Sequence, residues 1–363
     1  MPAATLWRKR AAALRELAGR ATVDAKLRLE REKGEDTMKL HARVLAAASF
    51  ACSTLLGAAA AQAQDFPDRP VRIIVPAAAG GAIDAAGRIL AQGLTEHWGG
   101  RPVVVENRVG ASMVIGATAV AQAKPDGYTL LVAHDGVMAV NPHFVKNITY
   151  DSRKDFAGVG IIARLPLALF VHESVPAKNV QEFIAYAKAS PGKLNHGSGG
   201  PASLLALELF KAMTGVQVVN VNYRGSALSI NDLLSNTVQF VFADIASGGA
   251  ALQSSSVRTL GVTSMERATS LPNVPTIHEA GLANYDTATW IGAFAPRGVE
   301  RAVQERLESA VTAAARSEAV RKRLLAIGME PAALSGREAE QVVASDLEKW
   351  GKLIREQNIQ FAQ

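Results

Sequence analysis

The sequence predicts an α/β protein built as two lobes around a cleft, and three observations carry that prediction. A strand–helix–strand–helix–strand order runs from residue 71 to residue 133. The same alternation resumes between residues 167 and 262. No low-complexity linker separates the two runs, and no internal repeat is present. Strands that alternate with helices imply parallel sheets, because parallel neighbours need a long crossover rather than a tight turn.

Each element has its own local reason. Val71-Arg72-Ile73-Ile74-Val75 is a β-branched run ended by Pro76. The Ala77-Ala78-Ala79-Gly80-Gly81 loop then leads into a helix to about His97, with Ile83, Leu90 and Leu94 on one stripe. Val103–Val105 is the next strand and residues 114–122 a short helix. Lys124-Pro125-Asp126-Gly127 has type I turn chemistry, and Tyr128–Ala133 is a third strand. After a loop-rich stretch from Asn141 to Phe156, Leu167–Val171 reads as a strand and Asn179–Ala189 as a helix. Residues 201–213 form an apolar helix, Val216–Val221 a strand and Ala227–Leu234 a helix. Val238–Phe242 and Val257–Val262 are strands, and the C-terminus reads as helical. Its stripes are Val303, Leu307, Val311, Ala314 and Val343, Leu347, Trp350, Ile354, the second opened by a capping box at Ser335-Gly336-Arg337-Glu338.

The 363 residues carry 39 Lys+Arg against 33 Asp+Glu, but that excess is confined to one end. Residues 1–37 hold nine of the basic groups and six of the acids. Met38-Lys39-Leu40-His41-Ala42-Arg43 then opens an uncharged stretch, Val44 to Gln64, that ends in Ala61-Gln62-Ala63. A basic start, an apolar centre and an A-x-A exit make a secretory signal peptide at 38–63, cleaved after Ala63. A membrane anchor fits less well, because the run is rich in alanine and ends small and polar. Residues 1–37 then read as lying upstream of the true start, a mis-set beginning, with a genuine N-terminal extension as the alternative. With two further basic groups lost in 38–63, 28 basic and 27 acidic groups remain, so the footprint of a nucleic-acid binder is missing. The single Cys, Cys52, leaves with the signal, so neither disulfides nor thiol chemistry is expected.

The strand–loop–helix at 71–97 is the most informative local feature. Gly80 and Gly81 let a ligand approach the backbone, and the following helix start offers unpaired N–H groups that suit a carboxylate or phosphate. The same glycines serve equally well as a plain tight turn. Asp84 pairs with Arg88 one turn on and reads as structural. Gly197-Ser198-Gly199-Gly200-Pro201-Ala202 fits a loose dinucleotide fingerprint, yet Val218–Asn222 offers no acid for a ribose. That loop reads instead as a second set of N–H and hydroxyl donors. His134-Asp135, after the third strand, either line the cleft or simply pack. No His pairs with another at helical spacing, Ser198 lacks a nucleophile elbow, and no catalytic constellation, metal site or cofactor site emerges.

Nine segments in order resemble a known family over nearly the whole exported chain. They include Phe66-Pro67-Asp68-Arg69-Pro70, Ala79-Gly80-Gly81 with Asp84, Glu106-Asn107-Arg108, Pro125-Asp126-Gly127-Tyr128, Pro191-Gly192-Lys193-Leu194-Asn195, Tyr223-Arg224-Gly225-Ser226 and Leu271-Pro272-Asn273-Val274-Pro275. Together they are similar to the Bug-type extracytoplasmic solute receptors of tripartite tricarboxylate transporters. The resemblance implies a two-lobed periplasmic-binding-protein fold, each lobe a mostly parallel sheet flanked by helices, with two inter-lobe crossovers. Lobe one would be 65–166 plus 288–363, and lobe two 167–287. It further implies a monomeric, non-enzymatic receptor in the periplasm that captures a small organic carboxylate and delivers it to the transporter's membrane subunits. A ligand sensor docking on a membrane histidine kinase is the alternative, and a periplasmic hydrolase or isomerase a remote one.

By position, the ligand would meet Ala78, Ala79, Gly80 and Gly81 from lobe one, with His134 and Asp135 behind them. Lobe two would offer Gly197, Ser198, Gly199 and Ser203, and Asp244 matches an acid that can reach a ligand amine or a bridging water. Departures from the family cluster here: Ala77 for a usual Phe, Ile83 for a small hydroxyl residue, and Ser112-Met113 for a pair of glycines. The more apolar walls favour an aromatic or aliphatic monocarboxylate over citrate.

Overall fold

The computed structural model describes residues 66–359, and the expected extension and signal peptide at 1–37 and 38–63 lie outside them. The first sheet is built from β1 (Val71–Val75), β2 (Val103–Asn107), β3 (Thr129–His134), β4 (Phe156–Leu165), β10 (Thr289–Pro296) and β11 (Glu330–Ser335), in the order β11-β4-β10-β3-β1-β2. The second holds β5 (Leu167–His172), β6 (Asn195–Ser198), β7 (Val219–Asn222), β8 (Phe240–Asp244) and β9 (Val257–Val262), in the order β7-β6-β8-β5-β9.

Helices cover both sheets. Around the first are α1 (Ala82–His97), α2 (Val114–Ala121), the short α3 (Asn141–Phe144), α8 (Arg301–Arg316), α9 (Glu318–Ala326) and α10 (Gly336–Glu356). Around the second are α4 (Val180–Ala189), α5 (Pro201–Thr214), α6 (Ser226–Leu234) and α7 (Gly249–Gln253).

The central strands of each sheet are buried on both faces, which is why they read as continuous apolar runs. Ile73 and Val75 pack against Leu90 and Leu94 of α1 and Leu307 and Val311 of α8. Ile74, on the opposite face, joins Leu131, Trp290 and Phe294. In the second sheet Phe183, Phe210, Phe240, Phe242 and Tyr285 form an aromatic core, while Phe170, Val241, Ile230 and Leu233 fill the other side.

Strand direction explains how the two sheets share one chain. β1 pairs parallel with β2 and β3, whereas β10 lies antiparallel between β3 and β4. Four of the six strands therefore run one way, with β10 and the edge strand β11 reversed. In the second sheet four of five run together, with β5 alone reversed between β8 and β9. Two of the reversed strands, β5 and β10, are those by which the chain enters a sheet from the other one. The chain passes from β4 to β5 through Pro166 alone and returns after β9 to start β10.

Four strands escaped the sequence reading: β4, β6, β10 and β11. The C-terminal part is therefore not wholly helical, since it supplies β10 to the middle of the first sheet and β11 to its edge. β4 contains Gly158 and Gly160, which weaken a strand signal but are required by packing. A Cβ on Gly158 would lie 2.4 Å from the Gly336 carbonyl oxygen, and one on Gly160 2.8 Å from that of Leu334. β11 begins Glu330-Pro331 and pairs irregularly with β4, as an edge strand with a proline must. In β6 the residues Asn195-His196-Gly197-Ser198 have little strand propensity and are held by partners on both sides.

The sheets also touch through their helices. Leu205 and Leu209 of α5 pack with Trp350, Leu353 and Ile354 of α10 and with Val140. On other flanks the Thr269 N–H donates to Glu330 at 2.8 Å, and Lys349 Nζ donates to the Asp286 carbonyl at 3.1 Å.

Candidate ligand-binding site

In open α/β sheets ligands collect beyond the carboxyl ends of the strands. Here the starts of α1, α5 and α6 meet at such a place. All three helices have glycine at the N-cap (Gly81, Gly200 and Gly225), and none of these starts has a side-chain cap. By contrast, α4, α9 and α10 are capped by Asn179, Ser317 and Ser335, the last with the expected capping box. The first N–H groups of a helix have no intrahelical carbonyl to bond. At the three glycine-capped starts they are left for something else.

Local geometry explains each start. Before α1, Gly80 has a φ of +84°, a conformation that favours glycine. Its N–H donates to Asp84 Oδ2 at 2.8 Å, and Arg88 Nε donates to the same oxygen at 2.9 Å. Asn107 Nδ2 donates to Asp84 Oδ1 and to the Ala77 carbonyl, both at 2.9 Å. The Arg88 hydrogen bond, with those from Gly80 and Asn107, holds the Asp84 carboxyl at about 2 despite its burial. Asp84 is thus spent on folding the loop. The starts of α5 and α6 press backbone to backbone: a Cβ on Gly199 would sit 2.6 Å from the Ser226 Cα. Only glycine fits there. Pro201 at the first turn of α5 lacks an N–H, which costs nothing at that position.

These starts open onto a cavity of about 450 Å³ between the sheets. Its walls are Ala82, the crossover Leu165-Pro166-Leu167, the segment Gly199–Ser203, Ser226, Phe242, Asp244, Ala246, Thr289 and the Ile327–Met329 turn. Not one of these is Lys, Arg or His. Asp244 is the only ionisable side chain among them, and its Oδ1 accepts the Ser247 N–H at 2.7 Å. A larger depression of about 640 Å³ lies at the opposite ends of the strands, lined by Arg69, Arg72, Lys124 and Asp126. There Arg69 pairs with Asp126 and Arg72 with Glu106, so most of its charge is already satisfied.

Of the residues expected at the site, Gly199, Ser203 and Asp244 line the cavity. Ser203 does so through its backbone, because its hydroxyl donates to the Phe242 carbonyl at 2.5 Å. Ala78, Ala79, Gly80 and Gly81 form the exposed loop just before Ala82. Gly197 is built into the core, where a Cβ would meet Ser229, Val241 and Val238, and buried Ser198 donates to the Gly200 carbonyl at 3.3 Å.

His134 and Asp135 close the end of β3 away from the cavity walls. Burial lowers His134 to about 4 and raises Asp135 to about 7, the latter helped by nearby Asp346. His196 lies under the site with its Nδ1 bonded to Asn220 and its Nε2 accepting the Phe242 N–H, and burial keeps it neutral, near 4. Among the described residues no group of His, Cys, Asp or Glu is placed to hold a metal ion.

The sequence reading missed the crossover, Ser226, Thr289 and the Ile327–Met329 turn as cavity walls. Ser226 carried a usable signal, since Gly225-Ser226 opens a helix as Gly200-Pro201 does. The crossover and the turn reach the cavity only through the pairing of β4, β10 and β11.

Two α/β sheets joined by two chain crossings, with glycine-capped helix starts facing a shared cavity, define a solute-binding receptor of the periplasmic-binding-protein class. The chain belongs to the tripartite tricarboxylate transporter receptor family, whose description reads "Tripartite tricarboxylate transporter family receptor" and whose model matches residues 86–359. A UPF0065 protein from the tcbD–tcbE intergenic region of a Pseudomonas species is 36% identical over 318 residues, covering 86% of this chain and 94% of its own. Protein BugT of Bordetella pertussis is 32% identical over 321 residues, covering 86% and 97%. Among solved structures, R. palustris Rpa4515 with adipate is 35% identical, covers 80% of this chain and 98% of its own, and superposes with a TM-score of 0.63. MatC of Rhodopseudomonas palustris with bound malate is 29% identical, covers 80% and 100%, and gives 0.60. This chain is a Bug-type receptor.

Proposed function

We propose that this protein captures a small organic carboxylate between its two lobes in the periplasm and delivers it to the membrane subunits of a tripartite tricarboxylate-type transporter. The observation that carries the reading is the meeting of three glycine-capped helix starts on one cavity. Uncapped N–H groups and the positive ends of three helix dipoles bind an anion without any Lys or Arg. Ordered waters extend such a backbone site to ligands of different length. The adipate and malate held by the two Rhodopseudomonas relatives support a carboxylate as the ligand.

Lobe one is taken as 65–166 plus 288–363 and lobe two as 167–287, so the site is complete only when both contribute. A ligand touching both lobes favours the closed population by its difference in affinity for the two states. Export rests on the signal-peptide pattern at 38–63, and among the described residues no helix is long and apolar enough to cross a membrane.

The test is a thermal-shift screen of purified protein, stripped of carried-over ligand by unfolding and refolding, against mono-, di- and tricarboxylates. A ligand at 100 times its Kd stabilises by about 2.7 kcal/mol, which raises the melting temperature by several degrees. Silence from folded protein across the whole library overturns the reading.

A further inference from the structure

The two sheets are bridged on two unequal flanks. On one, Leu205 of α5 packs with Trp350, Leu353 and Ile354 of α10, all four buried. On the other, the Ile327–Met329 turn and Glu330, the first residue of β11, reach across from the first sheet. The Thr269 N–H, in the segment after β9, donates to Glu330 Oε1 at 2.8 Å. Gly328 lies against Ala246, just after β8, so closely that an added Cβ would sit 3.1 Å from the Ala246 methyl.

Each side of this bridge is fixed in its own core. Leu324 and Met329 are buried with Ile73 and Leu90, and the Met329 N–H donates to the Leu324 carbonyl at 3.0 Å. Ala268 is buried with Val241 and Ile230, and the Leu271 N–H donates to its carbonyl at 3.0 Å. Neither side can follow the other when the sheets move apart, because close-packed side chains hold one arrangement. The bridge therefore exists in only one relative placement of the sheets. It is small, and exposed at Thr269, Ala246 and Gly328, so it parts more readily than the apolar flank. Ala246, Ile327 and Met329 are cavity walls, so parting the bridge opens the cavity along that side.

Given the receptor reading above, we infer that Glu330 is a positioning residue for ligand capture. Its bond to Thr269 clasps lobe one to lobe two beside the cavity and sets how long a ligand stays. Glu330 is not itself a cavity wall and acts through the turn that it holds in place.

Two measurements test the clasp on wild type, Glu330→Ala and Glu330→Gln, the last of which keeps a carbonyl oxygen for the Thr269 N–H. Amide hydrogen exchange, read residue by residue by NMR, reports the bond without any ligand. The Thr269 N–H is protected in wild type, exchanges about tenfold faster in Glu330→Ala, and is largely protected again in Glu330→Gln. Stopped-flow binding of adipate then reports residence. Glu330→Ala releases adipate about tenfold faster with its on-rate within about threefold, and Glu330→Gln returns toward wild type. A misfolded variant would instead lose bound fraction and the protection of core amides. An unprotected Thr269 N–H in wild type, or one release rate for all three proteins, overturns the clasp and leaves the carboxylate receptor intact. Failure of adipate to bind the wild type counts against the receptor reading for this ligand, while exchange at Thr269 still decides the clasp.

Discussion

Asp84 and Asp135 have opposite fates at the carboxyl end of the same sheet. Asp84 is buried but answered by Gly80, Arg88 and Asn107, so it stays charged, near 2. Asp135 is buried beside Asp346 and is pushed up to about 7. The two act on stability with opposite signs. A depressed carboxyl contributes stability that is present above its ordinary value near 3.8 and lost as pH falls through about 2. A raised one contributes stability that is fully present below 3.8 and lost as pH rises through about 7. Buried neutral His134 and His196 also act at acid pH, so comparison of one variant with wild type is the clean measurement. Asp135→Asn should melt with or slightly below wild type at pH 4 and above it at pH 8, the gap opening between those values. A gap independent of pH removes Asp135 as the titrating group. The Asp84–Arg88 pair was legible in the sequence because four residues span one helical turn. The approach of Asn107 was not, because it needs β1 and β2 already paired.

The helix starts carry function by what they omit. Gly81 has ordinary extended N-cap geometry and open space, with the nearest atom to an added Cβ at 3.5 Å. Gly81→Asp should therefore cap α1 internally. Replacing glycine by a true cap gains a few tenths of a kcal/mol, while the new carboxylate occupies the anion position. The expected outcome is an unchanged or slightly raised melting temperature with carboxylate affinity down about tenfold. Full affinity in that variant would mean that the α1 start does not face the ligand.

At this scale most elements were readable, since β1, α1, β3, α5 and α10 have unbroken periodic patterns or caps. β4 was not, because Gly158 and Gly160 answer to the backbone of α10 and β11 rather than to strand propensity. Likewise β6 is a strand only because β7 and β8 flank it.

Across the whole molecule, the lobes are tied by more than the two crossings. Leu205 on α5 is 3% exposed and packs into a cluster with Trp350 and Ile354 of α10. Truncating a buried leucine to alanine costs about 2–5 kcal/mol where the site cannot collapse. At an inter-lobe contact the loss also shifts the balance of the lobe closure proposed above. Leu205→Ala is expected to increase the radius of gyration of the ligand-free protein in X-ray scattering and to weaken ligand binding. An unchanged profile would place this cluster outside the closure motion.

The linear chain by itself determined the α/β class, the alternation in two units, the Gly-rich turns at the helix starts and the family to which it belongs. These depend on local rules: apolar period, turn chemistry, caps and short ordered motifs. Only the tertiary structure decided which backbone groups share one cavity. The walls come from residues as far apart as Ala82 and Met329, and they meet because β10 inserts between β3 and β4 while β5 inserts between β8 and β9. Long-range strand pairing has no local signature, so which residues share the cavity became readable only after the chain had folded.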